Sequence, residues 1–118
     1  MKKLIIILFL FLSVILVHSQ SRNVEDYTKI FTVGSKPYYV DVTSVEKLNN
    51  GNRVFWSLQT EGNTVLLGSW EVNCRFRKIR IRSFLELGNL NYYGSNRVRP
   101  WERPTTSVMR GYLTFGCN

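Results

Sequence analysis

Trp70-Glu71-Val72-Asn73-Cys74-Arg75-Phe76-Arg77-Lys78-Ile79-Arg80-Ile81-Arg82 is the stretch whose reading decides the fold. Trp70, Val72, Cys74 and Phe76 share one parity, and Arg75 and Arg77 take the other. After Lys78 the apolar parity moves to Ile79 and Ile81, with Arg80 and Arg82 opposite them. A period of two marks a half-buried strand, and a parity switch inside it is what a one-residue bulge produces. The stretch therefore predicts one long central strand, apolar side to a core and arginine side to water. The same parity through Ser83, Leu85 and Leu87 carries it to about Leu87.

Short strands surround it. Tyr27 to Val33, Tyr38 to Val42 and Arg53 to Gln59 read as strands, the last with Val54, Trp56 and Leu58 on one face. Gly34-Ser35-Lys36-Pro37 and Asn49-Asn50-Gly51-Asn52 separate them, because Gly and Asn tolerate left-handed φ and Pro fixes its own. Thr43 to Leu48 predicts one helical turn, and Glu61-Gly62-Asn63 turns the chain into Thr64 to Leu67 and the central strand. Beyond it, Gly88 to Ser95 reads as a loop. Asn96 to Trp101 reads as an edge strand ending at Pro100, which cannot donate to a ladder. Pro104-Thr105-Thr106-Ser107 supplies hydroxyls that cap a helix. Val108, Tyr112 and Phe115 form its apolar face, and Gly116 reads as its stop. Trp56 and Trp70 read as core.

The first residues set the compartment. Lys2 and Lys3 precede an apolar run from Leu4 to Val17 that falls short of the roughly 20 residues needed to span a membrane. Val17-His18-Ser19 suits a signal peptidase, so residues 1–19 read as a signal peptide and 20–118 as one domain. An uncleaved anchor is the rival reading. Cleavage leaves 99 of the 118 residues, no transmembrane span, and 14 basic against 8 acidic residues, a net charge of about +6. The two cysteines, Cys74 and Cys117, both lie in the exported part, where an even count reads as a disulfide. Two free thiols are the rival. A bond closing that loop of 43 residues removes unfolded-state entropy worth about 4 kcal/mol. The fold class is then mainly β (α+β): a small antiparallel sheet with a short C-terminal helix tied on by a disulfide. No cysteine follows the apolar run, so no lipoprotein anchor is expected. The expected location is exported: periplasmic, secreted or surface-associated.

Several fragments, in order, resemble the surface-adhesin protein E family. They are Tyr38-Tyr39-Val40-Asp41, Ser44-Val45, Val54 with Trp56, Glu71-Val72-Asn73-Cys74 with Arg77-Lys78-Ile79-Arg80, Trp101-Glu102-Arg103-Pro104, and Cys117. The resemblance implies a small antiparallel sheet with a disulfide-held C-terminal helix. It also implies a bacterial cell-envelope role, adhesion to host matrix and plasma proteins. Family membership does not by itself carry adhesion.

Three function classes compete. An enzyme fares badly: the only histidine, His18, leaves with the signal, which removes Ser-His-Asp, Cys-His and histidine-metal chemistry. Asp41, Glu71 and Glu86 show no convergent spacing, and the Asp41 carboxylate reads as fixing a turn by accepting N–H groups near Thr43 and Ser44. No catalytic residue, metal site or cofactor is expected. A binding module rests on Arg75, Arg77, Arg80 and Arg82, a row of about 20 Å on one strand face, to which Arg97, Arg99 and Arg103 would add. Guanidinium forks suit sulfate, phosphate and carboxylate, hence anionic glycans and extracellular or envelope proteins of acidic character. Tyr92, Tyr93 and Trp101, in or beside loops, are candidate contacts for a sugar or a protein. The bland alternative is a solvated, edge-protecting cation face on an accessory or structural envelope protein. Nucleic acid is not expected as a partner, and no residue speaks to oligomeric state.

Overall fold

The computed structural model describes residues 24–88 and 91–118; the signal peptide read at residues 1–19 lies outside the described residues. Six antiparallel strands follow one another in a single meander, ordered as in the sequence. They are β1 (Tyr27–Val33), β2 (Lys36–Lys47), β3 (Arg53–Glu61), β4 (Thr64–Asn73), β5 (Lys78–Gly88) and β6 (Asn91–Ser95), and helix α1 (Ser107–Cys117) closes the chain. The fold class is as expected. Gly34 (φ 63°) and Gly62 (φ 58°) occupy the tight β1–β2 and β3–β4 turns, where an L side chain would strain the backbone.

The deciding stretch differs from the single-strand reading. It is a hairpin, with Val72 opposite Ile79 and Asn73 opposite Lys78, and residues 74–77 forming the turn. A turn of four residues pairs even with odd positions, so apolar parity inverts across it just as across a bulge. A bulge does occur, but later: Ser69 pairs with Ser83 and Trp70 with Ile81, leaving Arg82 as the extra residue. The bulge sends Leu85 to the face opposite Ile79 and Ile81, where it packs on a second cluster.

Two other local readings change. Thr43 to Leu48 is no helical turn; β2 continues to Lys47 and bulges widely, residues 42–45 standing against Phe55 alone. Asp41 shapes that bulge as expected for Thr43, whose N–H donates to Oδ1 at 3.0 Å. At Ser44 it is the hydroxyl that donates, to the Asp41 carbonyl, while accepting the Trp56 N–H at 2.9 Å. The loop and edge strand read at residues 88–101 are redistributed. β6 pairs with the far end of β5, and residues 99–102 run beside its near end through Arg99 N–H to Ile81 O and a two-way bridge between Ile79 and Glu102.

Helix α1 lies on one face of the sheet. Thr106 caps it, its hydroxyl accepting the Met109 N–H at 3.1 Å. Tyr112 and Leu113 are almost fully buried against Tyr38, Val40, Phe55, Val72 and Ile79. The Tyr112 ring meets Phe31 and Trp70 at centroid distances of 5.1 and 4.9 Å. Burial pushes its hydroxyl up to about 12 despite the nearby Ser57, so it stays neutral at ordinary pH. Gly116 is no stop: it is buried inside the helix, where a Cβ would stand 2.7 Å from Val72 Cγ2 and 2.9 Å from Phe55 Cε1. At Gly111 a Cβ would meet the Phe31 ring at 2.6 Å. Cys74 and Cys117 are bonded, with Cα atoms 5.6 Å apart. The opposite face carries a smaller cluster of Tyr27, Leu58 and Leu67 with Tyr39, Trp56, Val65 and Leu85.

Two expectations follow for folding. Gly→Ala in an exposed helix normally gains about 1 kcal/mol. At Gly111 or Gly116 it should instead cost about 1–3 kcal/mol, because the helix would be lifted off the sheet; urea denaturation of each variant reads the sign. The native protein should take up no alkylating agent, and Cys117→Ser should cost about 2–5 kcal/mol. Two added alkyl groups in the intact mass would contradict the bond.

Candidate anion-binding face

Glu71 points to the face opposite the helix and is 2% exposed. A buried carboxylate is costly unless its charge and lone pairs are met. Arg80, directly across on β5, donates from Nε and Nη2 to Oε1 at 3.0 and 2.8 Å. Asn52, at the end of the β2–β3 turn, donates from Nδ2 to Oε2 at 2.8 Å. The indole of Trp101 lies against the other side of the cation, its centroid 4.2 Å from Arg80 Cζ, and the backbone bonds of residues 99–102 to β5 hold it there. Four elements thus meet around one carboxylate.

This geometry breaks up the expected arginine row. Arg75 and Arg77 stand exposed in the β4–β5 turn, Arg80 is committed to Glu71, and Arg82 is half-buried at the bulge. Trp101 is half-buried over Arg80. Tyr92 and Tyr93 lie on β6 opposite Leu87 and Glu86, and their side chains fall outside the described residues. Arg97, Arg99 and Arg103 are exposed as well, on the segment that runs along β5.

Charge is divided unevenly along the chain. Residues 24–74 carry four basic and six acidic side chains, whereas residues 75–118 carry nine basic and two acidic. The positive excess therefore resides on β5, its flanking turn, the segment beside it and the helix. Elsewhere the ion pair between Lys36 and Glu61, at 2.9 Å, is exposed; their mutual hydrogen bond raises the lysine and lowers the glutamate. Among the described residues no three His, Cys, Asp or Glu side chains gather as metal ligands.

Sequence reading missed the β4–β5 turn as a surface feature and placed Phe76 inward. Phe76 is 62% exposed, and the Arg75 guanidinium stands 5.3 Å from its ring centroid. The available signal was Asn73, whose Oδ1 accepts the Phe76 N–H at 3.1 Å and closes the turn. What concealed it is Arg77, at φ 51° where Gly or Asn is usual.

Arg80→Gln should destabilise the domain by about 2–3 kcal/mol, since it strands a buried carboxylate. Arg82→Gln should stay within about 0.5 kcal/mol. Equal urea midpoints for the two variants would contradict the pairing. No family model, curated protein or solved structure matches the chain.

Proposed function

We propose that this is an exported, non-enzymatic binding domain that attaches to polyanionic glycans or acidic proteins through the cations gathered beside β5. The observation that carries this reading is the charge division: nine basic against two acidic residues from Arg75 onward, with Arg97, Arg99 and Arg103 exposed along one strand. Backbone hydrogen bonds at Arg99 and Glu102 hold this segment to β5, so its guanidinium groups have less conformational freedom to lose on binding than groups on an untethered loop. The resemblance to surface-adhesin protein E agrees with a binder acting at the cell envelope. The signal-like start at residues 1–19 and the Cys74–Cys117 bond agree with an oxidising compartment, whether periplasm, surface or medium. Once residues 1–19 are removed, the chain has no histidine, and both cysteines are tied in the disulfide. That leaves little for nucleophilic catalysis.

One observation favours a second reading, an accessory envelope protein without a ligand. The same cations lie on the outermost segment of a sheet, where charge also blocks edge-to-edge association.

Retention of residues 20–118 on a sulfated-polymer resin separates the two. Retention should weaken steeply with salt, because such contacts are screened over roughly 8–10 Å at physiological ionic strength. Arg97→Gln, Arg99→Gln and Arg103→Gln together should lower affinity about tenfold more than Lys29→Gln, Lys36→Gln and Lys47→Gln together. Equal losses would mean that bulk charge alone attracts the polymer and would favour the accessory role.

A further inference from the structure

At the end of the sheet nearest the disulfide, the β2–β3 and β4–β5 turns stand side by side and enclose a cleft of about 330 Å³. That is the small end of the range for ligand clefts, roughly 300–1,000 Å³. Asn50, Asn52, Asn73, Cys74, Arg75 and Phe76 line it. We infer that this cleft is a binding site for one acidic sugar unit, whose carboxylate or sulfate meets Arg75 and two asparagine amides and whose C–H face lies on Phe76. The site is separate from the basic segment beside β5 and does not rest on it.

Polar complementarity is the first reason. Asn50 Oδ1 accepts the Asn52 N–H at 2.9 Å, and Asn73 Oδ1 accepts the Phe76 N–H at 3.1 Å. Each oxygen spends one lone pair inside its own turn, and each amide adds two N–H donors at Nδ2. Arg75 adds a guanidinium. Asn52 is turned the other way, its Nδ2 held by buried Glu71, whose charge Arg80 already balances. Donors and one net positive charge call for an acceptor-rich, anionic ligand.

Phe76 supplies the second reason. At 62% exposure it is the most exposed large apolar side chain among the described residues. It adjoins a cation, the Arg75 guanidinium being 5.3 Å from the ring centroid. A flat apolar plate beside a charge and amide donors matches a pyranose ring that carries an acid group better than it matches a flexible acidic side chain.

Rigidity is the third. One wall is closed by Leu48 N–H to Asn52 O at 2.7 Å and Gly51 N–H to Leu48 O at 3.0 Å. The other wall contains Cys74, bonded to the end of α1. A site held this way need not be ordered on binding.

The test is an NMR titration of residues 20–118 with three tetrasaccharides: hyaluronan (carboxylate only), chondroitin sulfate, and neutral chitotetraose. At least one acidic tetrasaccharide should shift the amide signals of residues 50–52 and 73–77, the neutral one binding about tenfold more weakly or not at all; which acid binds tells carboxylate from sulfate. Phe76→Ala and Arg75→Gln should each weaken that binding about tenfold while leaving the thermal midpoint in place, because both side chains are exposed. The variant lacking the Arg97, Arg99 and Arg103 charges keeps the cleft and should bind the tetrasaccharide as the parent does. Four results would overturn the assignment: no acidic tetrasaccharide binding, equal binding of the neutral sugar, parental affinity in Phe76→Ala, or loss in the triple variant.

Discussion

Cys74 and Cys117 join the β4–β5 turn to the last residue of α1, and the long-range order of the domain depends on that junction. A meander of consecutive hairpins makes mainly local contacts, which form quickly but leave one face bare. Here the bare face is covered by a helix from the far end of the chain. The bond is reinforced on both sides. Arg53 donates to the Gly116 carbonyl at 3.2 Å, placing a cation at the negative end of the helix dipole. Gly116 itself allows the backbone down onto Val72 and Phe55. From that fixed end Tyr112 falls one turn back, among Phe31, Tyr38, Phe55 and Trp70.

The other face is held by a different device. Among the described residues no α-helix covers it, and its apolar cluster is small. Toward the disulfide end a buried carboxylate takes over from hydrocarbon. Glu71 is satisfied only when the β2–β3 turn, β5 and the segment bearing Trp101 are all in place, since Asn52 and Arg80 each supply hydrogen bonds and Trp101 covers the cation. Such a group adds little net stability, but it penalises arrangements in which any partner is missing.

How much of this could be read in the sequence follows from which signals are local. The turns at Gly34 and Gly62, the strand runs within β1, β2 and β3 and the hydroxyl cap of the helix are local, and these stand where the residues indicate. Pairing is not local. Parity inverts alike at a turn and at a bulge, so Arg75 to Arg82 read as one row when a hairpin divides it and a bulge displaces its last member. Arg80 looks like a surface cation until Glu71 is seen across the ladder. Gly116 looks like a stop because Gly usually ends helices, whereas here the close approach to Val72 demands it. The Thr43–Leu48 spacing suggested a helix, and the hydroxyls of Thr43 and Ser44 instead build a bulge around Asp41.

The β4–β5 turn shows what is left over once folding has been accounted for. Its first residue, Cys74, carries the covalent tie, and Asn73 closes the turn from below. Arg75, Phe76 and Arg77 after them bury nothing: all three are exposed. Arg77 is the one non-glycine residue at positive φ among the described residues, a conformation that costs an L side chain about 1–2 kcal/mol. Gly or Asn would relieve that cost, and a polar residue in place of Phe76 would relieve the exposure of its ring. A cation on strained backbone beside an exposed aromatic is hard to account for by stability alone. Strain and exposure of this kind gather where a rigid scaffold presents a surface to something else. The scaffold here is the disulfide itself, so the residues with least to do in folding are fixed to the residue with most.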